Sequence, residues 1–390
     1  MKLAIIRGPV PTQYEMQSYD PLAKIWDITV YHSNDYESNI NEINLPKKGL
    51  RSLEGIFGRP FNVLMNYPFR IIGYRHHMLG LEKELKSMDI ANVVETYHAF
   101  SYQAIKAKEK YGTKVVVTCW ENIPFFVENT WLFTHNLRHK IKEKVRNNAD
   151  LFIAITKQAR DALIYEGVPE EKIVVIPAAV DINKFRPRKK DEKLLKKFKL
   201  TNEDLVILFV GRLAWEKGVY DVLYAAKRLL SDPELRGKSL KFVFVGGEGA
   251  EEGGMRKIIN RLDITESVNI AGTFSYSELP LIYNLADVFV APSIPKKDWQ
   301  EQFGMVFVEA LASGLPIVTT WCGAIPEVVV EAAIVAPPND PLSLYTELKR
   351  LIKDEKLRSR YGLLARKRAE RTFDPKVIAS KIKDEYEKLF

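Results

Sequence analysis

Cysteine is scarce in this sequence, which has only Cys119 and Cys322 among 390 residues. Two distant cysteines cannot form the several disulfide bridges of a small secreted scaffold, nor a four-cysteine zinc site. The chain also lacks any run of about 20 apolar residues, and its first apolar run, residues 3–6, is much shorter than the core of a signal peptide. We therefore expect a cytoplasmic protein with no membrane-spanning segment.

The Asp-x-Asp pair that would hold a divalent metal against a diphosphate is also absent. Two nucleotide-binding motifs are present only in part. Residues 237–239 resemble the end of a P-loop, but Asp232 stands where its first glycine must be, and the dinucleotide-like pattern from residue 247 fails at Glu252. These absences argue against an NTPase and a nicotinamide enzyme, and we expect a site without metal or cofactor.

Neither sign of charge dominates the chain. Its 58 Lys and Arg residues against 50 Asp and Glu residues give a net charge of +8, with both signs interspersed. This modest excess is as compatible with an anionic small ligand or a lipid surface as with nucleic acid, and we expect no nucleic-acid partner. Apolar residues make up 46% of the chain, which is enough for two cores.

Short runs rich in β-branched residues alternate with amphipathic segments, as in parallel sheets covered by helices. The runs of the first half are 3–6, 28–31, 93–95, 114–118, 151–154 and 173–176. Those of the second half are 205–210, 241–245, 268–271, 288–291, 316–319 and 333–335. A charged segment, 186–191, separates the two sets. The pattern predicts an α/β protein of two Rossmann-like domains that meet near residue 185, with ligands in a cleft at the carboxyl ends of the strands.

The strongest local motif is the loop 211–218, which reads Gly-Arg-Leu-Ala-Trp-Glu-Lys-Gly between a predicted strand and a predicted helix. It places two cations, Arg212 and Lys217, at the carboxyl end of a strand and beside a helix N-terminus. Cations in this position form an anion site without a metal, and a diphosphate is the natural occupant. The alternative is a solvated turn with unpaired surface charge.

Two glutamates, Glu301 and Glu309, stand eight residues apart with Gly304 and an apolar run between them. We expect Glu301 on a loop after a strand and Glu309 inside the following helix. A charge in a nearly apolar helix is costly unless a ligand or a partner donates hydrogen bonds to it. The pair therefore indicates a site for hydroxyl groups, with surface charge as the alternative for Glu301.

These motifs resemble those of the retaining nucleotide-sugar glycosyltransferases of the GT-B fold, especially family 4, the glycosyl transferases group 1. The resemblance rests on Glu301 and Glu309 with seven residues between them, on the loop 211–218 and on residues 323–327, Gly-Ala-Ile-Pro-Glu. It covers residues 200–340 by motif and the N-terminal half by architecture and by Gly8. It implies a hexosyltransferase that moves a hexose from a UDP- or GDP-linked donor to a glycan, lipid-linked or small-molecule acceptor with retention of configuration.

The resemblance also implies roles for individual residues. Arg212 and Lys217 would hold the donor diphosphate, Glu301 would contact hydroxyls of the transferred sugar, and Glu309 would accept hydrogen bonds from the ribose. Further donor-binding positions are Gly8, Gly211, Gly247, Gly304, Met305 and Val306. His98 follows the predicted strand 93–95 and is a candidate contact to the sugar or the acceptor, with a packed structural histidine as the alternative.

The same resemblance assigns residues 1–185 to an acceptor domain, 186–372 to a donor domain, and 373–390 to a helix that crosses back to the first domain. The sequence departs from the family pattern at two places. Trp120 stands where many relatives have a histidine, and residues 328–333 lack the glycine that usually follows the Pro-Glu segment.

Residues 131–146 join an apolar start, Trp-Leu-Phe, to a run of cations. The cations are Arg138, Lys140, Lys142, Lys144 and Arg146, with Glu143 as the one acidic residue among them. Such a basic amphipathic stretch suits an anionic lipid surface, which would place the protein peripherally on the inner face of a membrane. An ordinary exposed basic helix is the alternative.

Three other functions remain open at this point. A nucleotide-sugar epimerase shares the architecture but needs acid and base carboxylates in the cleft and no acceptor. A glycan phosphorylase needs a cofactor lysine and a longer chain. A non-enzymatic basic binding protein leaves the paired cations of the loop 211–218 and Glu309 unexplained.

Overall fold

The computed structural model describes residues 1–9, 11–34, 40–52, 76–126, 135–247 and 249–390. The chain forms two compact units. Unit 1 consists of Met1–Ala179 and Pro375–Phe390, and unit 2 consists of Val180–Asp374. The chain thus leaves unit 1 after Ala179, where the sequence suggested a boundary near 185, and it returns at Pro375, where the sequence suggested 373.

The predicted apolar runs form strands. Those of unit 1 are β1 (Lys2–Gly8), β2 (Asp27–Ser33), β3 (Lys47–Leu50), β4 (Ile90–Val94), β5 (Lys114–Cys119), β6 (Leu151–Ala154) and β7 (Ile173–Val175). Those of unit 2 are β8 (Leu205–Val210), β9 (Leu240–Val245), β10 (Val268–Ile270), β11 (Val288–Ala291), β12 (Ile317–Thr320) and β13 (Ala333–Ala336).

Amphipathic segments between the strands form the helices, with short 3₁₀ turns beside several of them. The helices of the first part of the chain are α1 (Gln13–Met16), α2 (Leu81–Glu84), α3 (Ala99–Tyr111), α4 (His135–Asn148) and α5 (Lys157–Tyr165). The helices of unit 2 are α6 (Glu192–Lys197), α7 (Val219–Leu230), α8 (Glu252–Arg261), α9 (Leu279–Tyr283), α10 (Met305–Ala312), α11 (Ile325–Val329), α12 (Pro341–Lys353) and α13 (Glu355–Thr372). The last helix is α14 (Pro375–Glu387).

The sheet of unit 1 has the order β3-β2-β1-β4-β5-β6-β7 with parallel pairing. Leu3 of β1 lies opposite Ile28 on one side and Ile90 on the other. Both faces of the sheet are buried in apolar clusters, which explains why its strands read as continuous apolar runs. The strand order reverses at β1, because β2 and β4 lie on opposite sides of it.

Helix α14 completes the core of unit 1, although it stands at the other end of the chain. Ile378, Ile382 and Tyr386 are buried in the cluster that also contains Leu3 and Ile28. The Tyr386 hydroxyl accepts a hydrogen bond from Asn92 Nδ2 at 2.8 Å. These long-range contacts make unit 1 discontinuous in sequence.

The sheet of unit 2 has the order β10-β9-β8-β11-β12-β13 and is also parallel. Its order reverses at β8, which has β9 on one side and β11 on the other. One face packs on α7 and α12, whose buried Val222, Leu223 and Leu348 join Phe242 of β9 in a single core.

The predicted α/β architecture with two Rossmann-like units is confirmed. All predicted runs form strands, with ends that differ from the predicted positions by at most three residues. The strand that the pattern did not indicate is β3, which reads Lys-Lys-Gly-Leu. It is an edge strand with exposed lysines, and edge strands carry charge where buried strands are apolar.

Candidate donor site in unit 2

The loops after β8 and β11 begin at neighbouring strands of unit 2, at the point where the strand order reverses. Open α/β sheets bind ligands at the carboxyl ends of strands at such a switch point. Arg212 and Lys217 follow β8, and Glu301 follows β11. Tertiary structure therefore joins the two strongest sequence motifs, which are 84 residues apart where Lys217 meets Glu301.

Lys217 and Glu301 form an ion pair in which Lys217 Nζ lies 2.7 Å from Glu301 Oε2. The Ser293 hydroxyl donates a second hydrogen bond to that oxygen at 3.0 Å. The ammonium group of Lys217 also lies 4.7 Å from the centre of the Trp299 ring, which is a cation–π contact. Both charged side chains are mostly buried, so the pair is shielded from the solvent that weakens surface ion pairs.

Arg212 is more accessible, with 51% of its side chain exposed. Its Nη2 donates to Glu216 Oε1 at 3.1 Å, and the other oxygen of Glu216 lies 3.3 Å from Lys296 Nζ. Burial alone would raise the pKa of Glu216, but its own backbone N–H, Lys296 and Arg212 together hold that pKa below its usual value. Neither cation of the loop 211–218 is therefore an unpaired surface charge.

Helix α10 begins at Met305, directly after the loop that carries Glu301. Gly304 precedes it with φ of 79°, and a Cβ at this position would lie 2.4 Å from the Phe307 ring, so the turn requires glycine. The first backbone N–H groups of a helix have no partner within it and form the positive end of its dipole. Met305 and Val306 thus present donors beside Glu301, suitable for an anion or a hydroxyl oxygen.

Glu309 lies one turn further along α10 and is only 2% exposed. Its Oε2 accepts a hydrogen bond from the Tyr283 hydroxyl of α9 at 2.8 Å. Burial raises the pKa of Glu309 to about 7, and the hydrogen bond from Tyr283 opposes this rise only in part. The partner that the sequence required for this carboxylate is thus a side chain of the protein, whereas no donor in the described part of the chain reaches Oε1. The contact of Glu309 with a ribose stays a prediction.

Two of the predicted donor-binding positions, Gly211 and Gly247, also lie at this edge of the sheet. Gly211 directly follows β8, and its N–H donates to the Val245 carbonyl at 3.0 Å. Gly247 follows β9, and the preceding Gly246 N–H donates to the Gly272 carbonyl at 2.8 Å, so the segment that begins at Gly272 lies alongside. Glu248, which follows Gly247, lies outside the described residues.

Gly8 and His98 belong to unit 1, at the ends of the neighbouring strands β1 and β4. The His98 ring packs on Phe100 with centroids 4.8 Å apart and on His76 at 5.4 Å. Burial, His76 and Arg138 lower the pKa of His98 to about 3, so its imidazole is neutral. A neutral ring can share a hydrogen bond with a sugar but cannot neutralise a phosphate.

The loop after β5 carries Trp120, which stands in place of the family histidine. Its backbone N–H and that of Glu121 donate to Glu95 Oε1 at 2.7 and 3.1 Å. Glu95 is a buried residue with φ of 59°, and burial raises its pKa to about 8. Sequence reasoning did not single out Glu95, although the structure uses it to hold this loop in place.

The basic stretch 131–146 does not present all of its cations to solvent. Lys142 and Arg146 are buried, and both pair with Glu166. The prediction that these two side chains face a lipid surface is wrong, because a buried carboxylate requires their charge inside the unit. Lys144 pairs with Glu109 at 2.6 Å, and residues 131–134 lie outside the described residues, so contact of this stretch with a membrane stays a prediction.

Several residues of the site had no place in the sequence-based assignment. Glu216 and Lys296 extend the cation loop, Ser293 and Trp299 support the Lys217–Glu301 pair, and Tyr283 binds Glu309. The adjacency of Glu216 to Lys217 was a usable signal. The others depend on which strands are neighbours, and no local pattern reports this.

Two Rossmann-like units, each with a parallel sheet, are the architecture of the GT-B class of fold. Residues 190–368 match the family model described as Glycosyl transferases group 1, and residues 24–184 match the model of Glycosyltransferase Family 4. The chain belongs to the group 1 glycosyltransferases.

Named relatives share part of their length with this chain. A D-inositol 3-phosphate glycosyltransferase of Streptomyces bingchenggensis is 30% identical over 59% of this chain and 51% of its own length. Mannosylfructose-phosphate synthase of Agrobacterium fabrum is 30% identical over 60% of this chain and 52% of its own. The chain therefore spans about half the length of the curated relatives it matches.

Solved structures match over the whole chain. HepE from Anabaena in complex with UDP has a TM-score of 0.76 and 17% identity, with full coverage of both chains. Sucrose-phosphate synthase from Thermosynechococcus elongatus has a TM-score of 0.73 and 16% identity, covering 100% of this chain and 99% of its own. At this identity the likeness establishes the fold.

No helix in the described part of the chain has both the length and the apolar character needed to cross a membrane.

Proposed function

We propose that the protein is a retaining hexosyltransferase, which moves a hexose from a UDP- or GDP-linked donor to a hydroxyl of a glycan, lipid-linked or small-molecule acceptor. The observation that carries this proposal is the Lys217–Glu301 ion pair at the switch point of unit 2. It holds a cation suited to phosphate 2.7 Å from a carboxylate suited to sugar hydroxyls.

In this proposal the donor diphosphate binds Lys217 and Arg212, and the backbone N–H groups of Met305 and Val306 add donors. A dianionic ligand competes with Glu301 and Glu216 for the two cations. Glu301 then accepts hydrogen bonds from hydroxyls of the hexose, which replace part of its interaction with Lys217. The exposed side chain of Arg212 is free to turn from Glu216 towards a phosphate, whereas Ser293 and Trp299 hold Glu301 and Lys217 in place.

The proposed chemistry breaks the bond between the anomeric carbon and the diphosphate oxygen and forms a bond to the acceptor hydroxyl oxygen. The departing phosphate accepts the proton of that hydroxyl on the same face of the sugar, so the configuration is retained without a protein base. Charge develops on the leaving diphosphate, and cations already in place stabilise it without reorganisation. Lys217 and Arg212 supply this charge where other enzymes use a metal ion.

Relatives and structural neighbours guide the choice of donors. HepE was solved with UDP and with UDP-glucose, so UDP-glucose is the first donor to test, and GDP-mannose represents the guanosine series. The names of the curated relatives include transfer to D-inositol 3-phosphate and synthesis of mannosylfructose phosphate. Both are consistent with a small hydroxyl-bearing acceptor.

The test incubates the protein with donors radiolabelled in the hexose and follows whether label appears in water, in an added acceptor or in an isomer of the donor. Lys217→Ala serves as the inactive variant. Lys238→Ala, which removes an exposed lysine elsewhere in unit 2, serves as the matched control.

Transfer to an acceptor or to water that depends on Lys217 but not on Lys238 supports the proposal. Conversion of the donor to an isomer without an acceptor overturns it in favour of a nucleotide-sugar epimerase. Absence of nucleoside diphosphate binding in calorimetry, together with absence of turnover, overturns it in favour of a binding protein.

A further inference from the structure

Trp321 is an exposed aromatic side chain that the donor site described above does not use. It follows β12 directly, and 56% of its surface is open to solvent. Among the described residues, no ring or cation packs on its indole. Trp215, two residues before Lys217, is also exposed. The two exposed tryptophans in the described part of the chain thus both flank the site of Lys217 and Glu301, rather than being scattered over the surface.

Contacts on both sides of Trp321 tie it to the loop that carries Glu301. Before it, the Thr320 hydroxyl donates to the Ser293 carbonyl at 2.5 Å. After it, the Ala324 N–H donates to the Glu301 carbonyl at 2.9 Å, and a Cβ on Gly323 would lie 2.2 Å from that carbonyl oxygen. The backbone on both sides of Trp321 is therefore held against the loop 293–301.

The strand order shows how the cations, Glu301 and Trp321 follow one another along the edge of the sheet. From β8 through β11 to β12, neighbouring strands end in the cations of the loop 211–218, then in Glu301, then in Trp321. Neighbouring parallel strands are about 4.8 Å apart. By strand order, residue 321 thus follows the strand next to the one that leads to Glu301, on the side away from the cations.

A pyranose ring has hydroxyl groups around its rim and a face of C–H groups that is apolar. A carboxylate suits the rim, and a flat indole suits the face, because burying both apolar surfaces removes them from water. Hexose hydroxyls bound to Glu301 would bring a ring of this kind within reach of Trp321.

We propose that Trp321 is a specificity-determining residue whose indole stacks on a pyranose ring bound beside Glu301. The ring is either the hexose of the donor or the sugar of an acceptor, and the chemistry of recognition is the same for both. This inference rests on the proposed function for the identity of the site but not for its test.

The test uses Trp321→Ala, which removes the ring, and Trp321→Phe, which keeps an aromatic face. Tyr224→Ala, at an exposed aromatic residue of α7, is the matched control. Calorimetry measures UDP against UDP-glucose and GDP against GDP-mannose. Tryptophan fluorescence measures titration with methyl α-glucopyranoside and methyl α-mannopyranoside. Because Trp321 is exposed, its variants are expected to keep the wild-type melting temperature.

If the ring belongs to the donor, Trp321→Ala weakens the nucleotide sugar roughly 10-fold and leaves the nucleoside diphosphate unchanged, since a 10-fold change is about 1.4 kcal/mol. If it belongs to an acceptor, nucleotide-sugar affinity is unchanged, and the fluorescence response to a methyl glycoside is lost in Trp321→Ala. In both cases Trp321→Phe retains most of the affinity when binding is measured by calorimetry, although it loses the fluorescence of Trp321, and Tyr224→Ala has no effect.

Unchanged affinity for every sugar in Trp321→Ala would overturn the inference. If the wild-type protein binds no nucleotide, the proposed function fails. The glycoside titration alone then tests whether Trp321 stacks on a sugar. A glycoside response in the wild type that Trp321→Phe alters and Tyr224→Ala does not alter would still support stacking. No response to either glycoside would then overturn it.

Discussion

Lys217 is the residue on which the proposed chemistry depends most, because it would bind the diphosphate and also pairs with Glu301, the proposed contact to the sugar. Lys217→Ala and Arg212→Ala should each lower turnover by about 10²-fold or more, the scale of losing one preorganised donor to a transition state. Initial rates with a radiolabelled donor measure this. The matched controls are Lys238→Ala and Arg236→Ala, which remove exposed cations elsewhere in unit 2. Near-normal turnover in either site variant, with an unchanged melting temperature, would argue against the diphosphate role.

Glu309 separates a nucleotide site from a structural carboxylate. If its carboxylate accepts hydrogen bonds from the ribose, Glu309→Gln keeps the shape but loses the charge, a change of about 1 to 3 kcal/mol. Affinity for UDP or GDP should then fall by roughly 5- to 150-fold. Calorimetry at pH 8, where the wild-type carboxylate is charged, measures it. Tyr283→Phe is the companion variant, since it removes the protein's own hydrogen bond to Glu309 and leaves the charge. Undiminished binding by Glu309→Gln would defeat the ribose assignment.

Burial of Glu309 also predicts a pH dependence of stability. Its pKa is raised from 4.5 to about 7 on folding, so the folded state holds the proton more tightly than the unfolded state. The contribution to stability is therefore full below about pH 4.5 and is lost as the pH rises to 7, by on the order of 3 kcal/mol at most. Glu309→Gln does not titrate at this position.

The measurement compares the free energies of unfolding of the wild type and Glu309→Gln at pH 5 and pH 8. We expect the variant to gain stability relative to the wild type as the pH rises. The comparison cancels other buried groups, such as Glu95, which titrate in both proteins. A difference that does not change with pH would contradict the raised pKa.

Helix α11 ends in a strained turn at Val330. Its φ is 42° with ψ of −130°, a conformation that a β-branched residue almost never adopts. Val330 lies within residues 328–333, the segment that lacks the glycine expected after Pro-Glu. A valine thus adopts a backbone conformation here that glycine would adopt without strain.

Val330→Gly should therefore stabilise unit 2. Relief of the strained conformation is worth about 1–3 kcal/mol, and the extra freedom of glycine in the unfolded chain costs about 0.5–1 kcal/mol. Little packing is lost, because Val330 is 37% exposed. We expect the melting temperature of unit 2 to rise by roughly 2–4 °C for each kcal/mol gained, as measured by calorimetry. Val330→Ala keeps the Cβ and should gain much less stability. A lower melting temperature for Val330→Gly would contradict the claim that Val330 is strained.

For the whole molecule, the distribution of charge predicts that turnover does not need a metal ion. The chain has no Asp-x-Asp pair, and the proposed diphosphate site already contains Arg212 and Lys217. Turnover of a radiolabelled donor should survive EDTA. Loss of most activity in the chelator, followed by recovery on adding magnesium or manganese, would contradict the role given to the two cations. If magnesium or manganese also restored the activity of Lys217→Ala, a metal ion would be supplying the positive charge assigned to Lys217.

At the same scale, the sequence alone predicted the architecture. The alternation of apolar runs and amphipathic segments is local, so the α/β class, the strands and the loops that carry Arg212, Lys217 and Glu301 were all readable without the structure. Strand β3 was not predicted because its lysines are exposed at the edge of the sheet. Which strand forms the edge depends on the order of the strands, which the sequence pattern does not report.

Tertiary structure alone decided which charges meet. The sequence pattern predicts that Lys142 and Arg146 belong to a basic surface. In the structure both side chains are buried in unit 1 and form ion pairs with Glu166. Glu309 needed a donor, and only the packing of α9 on α10 identified it as Tyr283. Lys217 pairs with Glu301 because β8 and β11 are neighbours. Residue type and periodicity follow from the nearest few positions along the chain, whereas ion pairing and burial follow from contacts between residues far apart in sequence, which only the folded chain brings together.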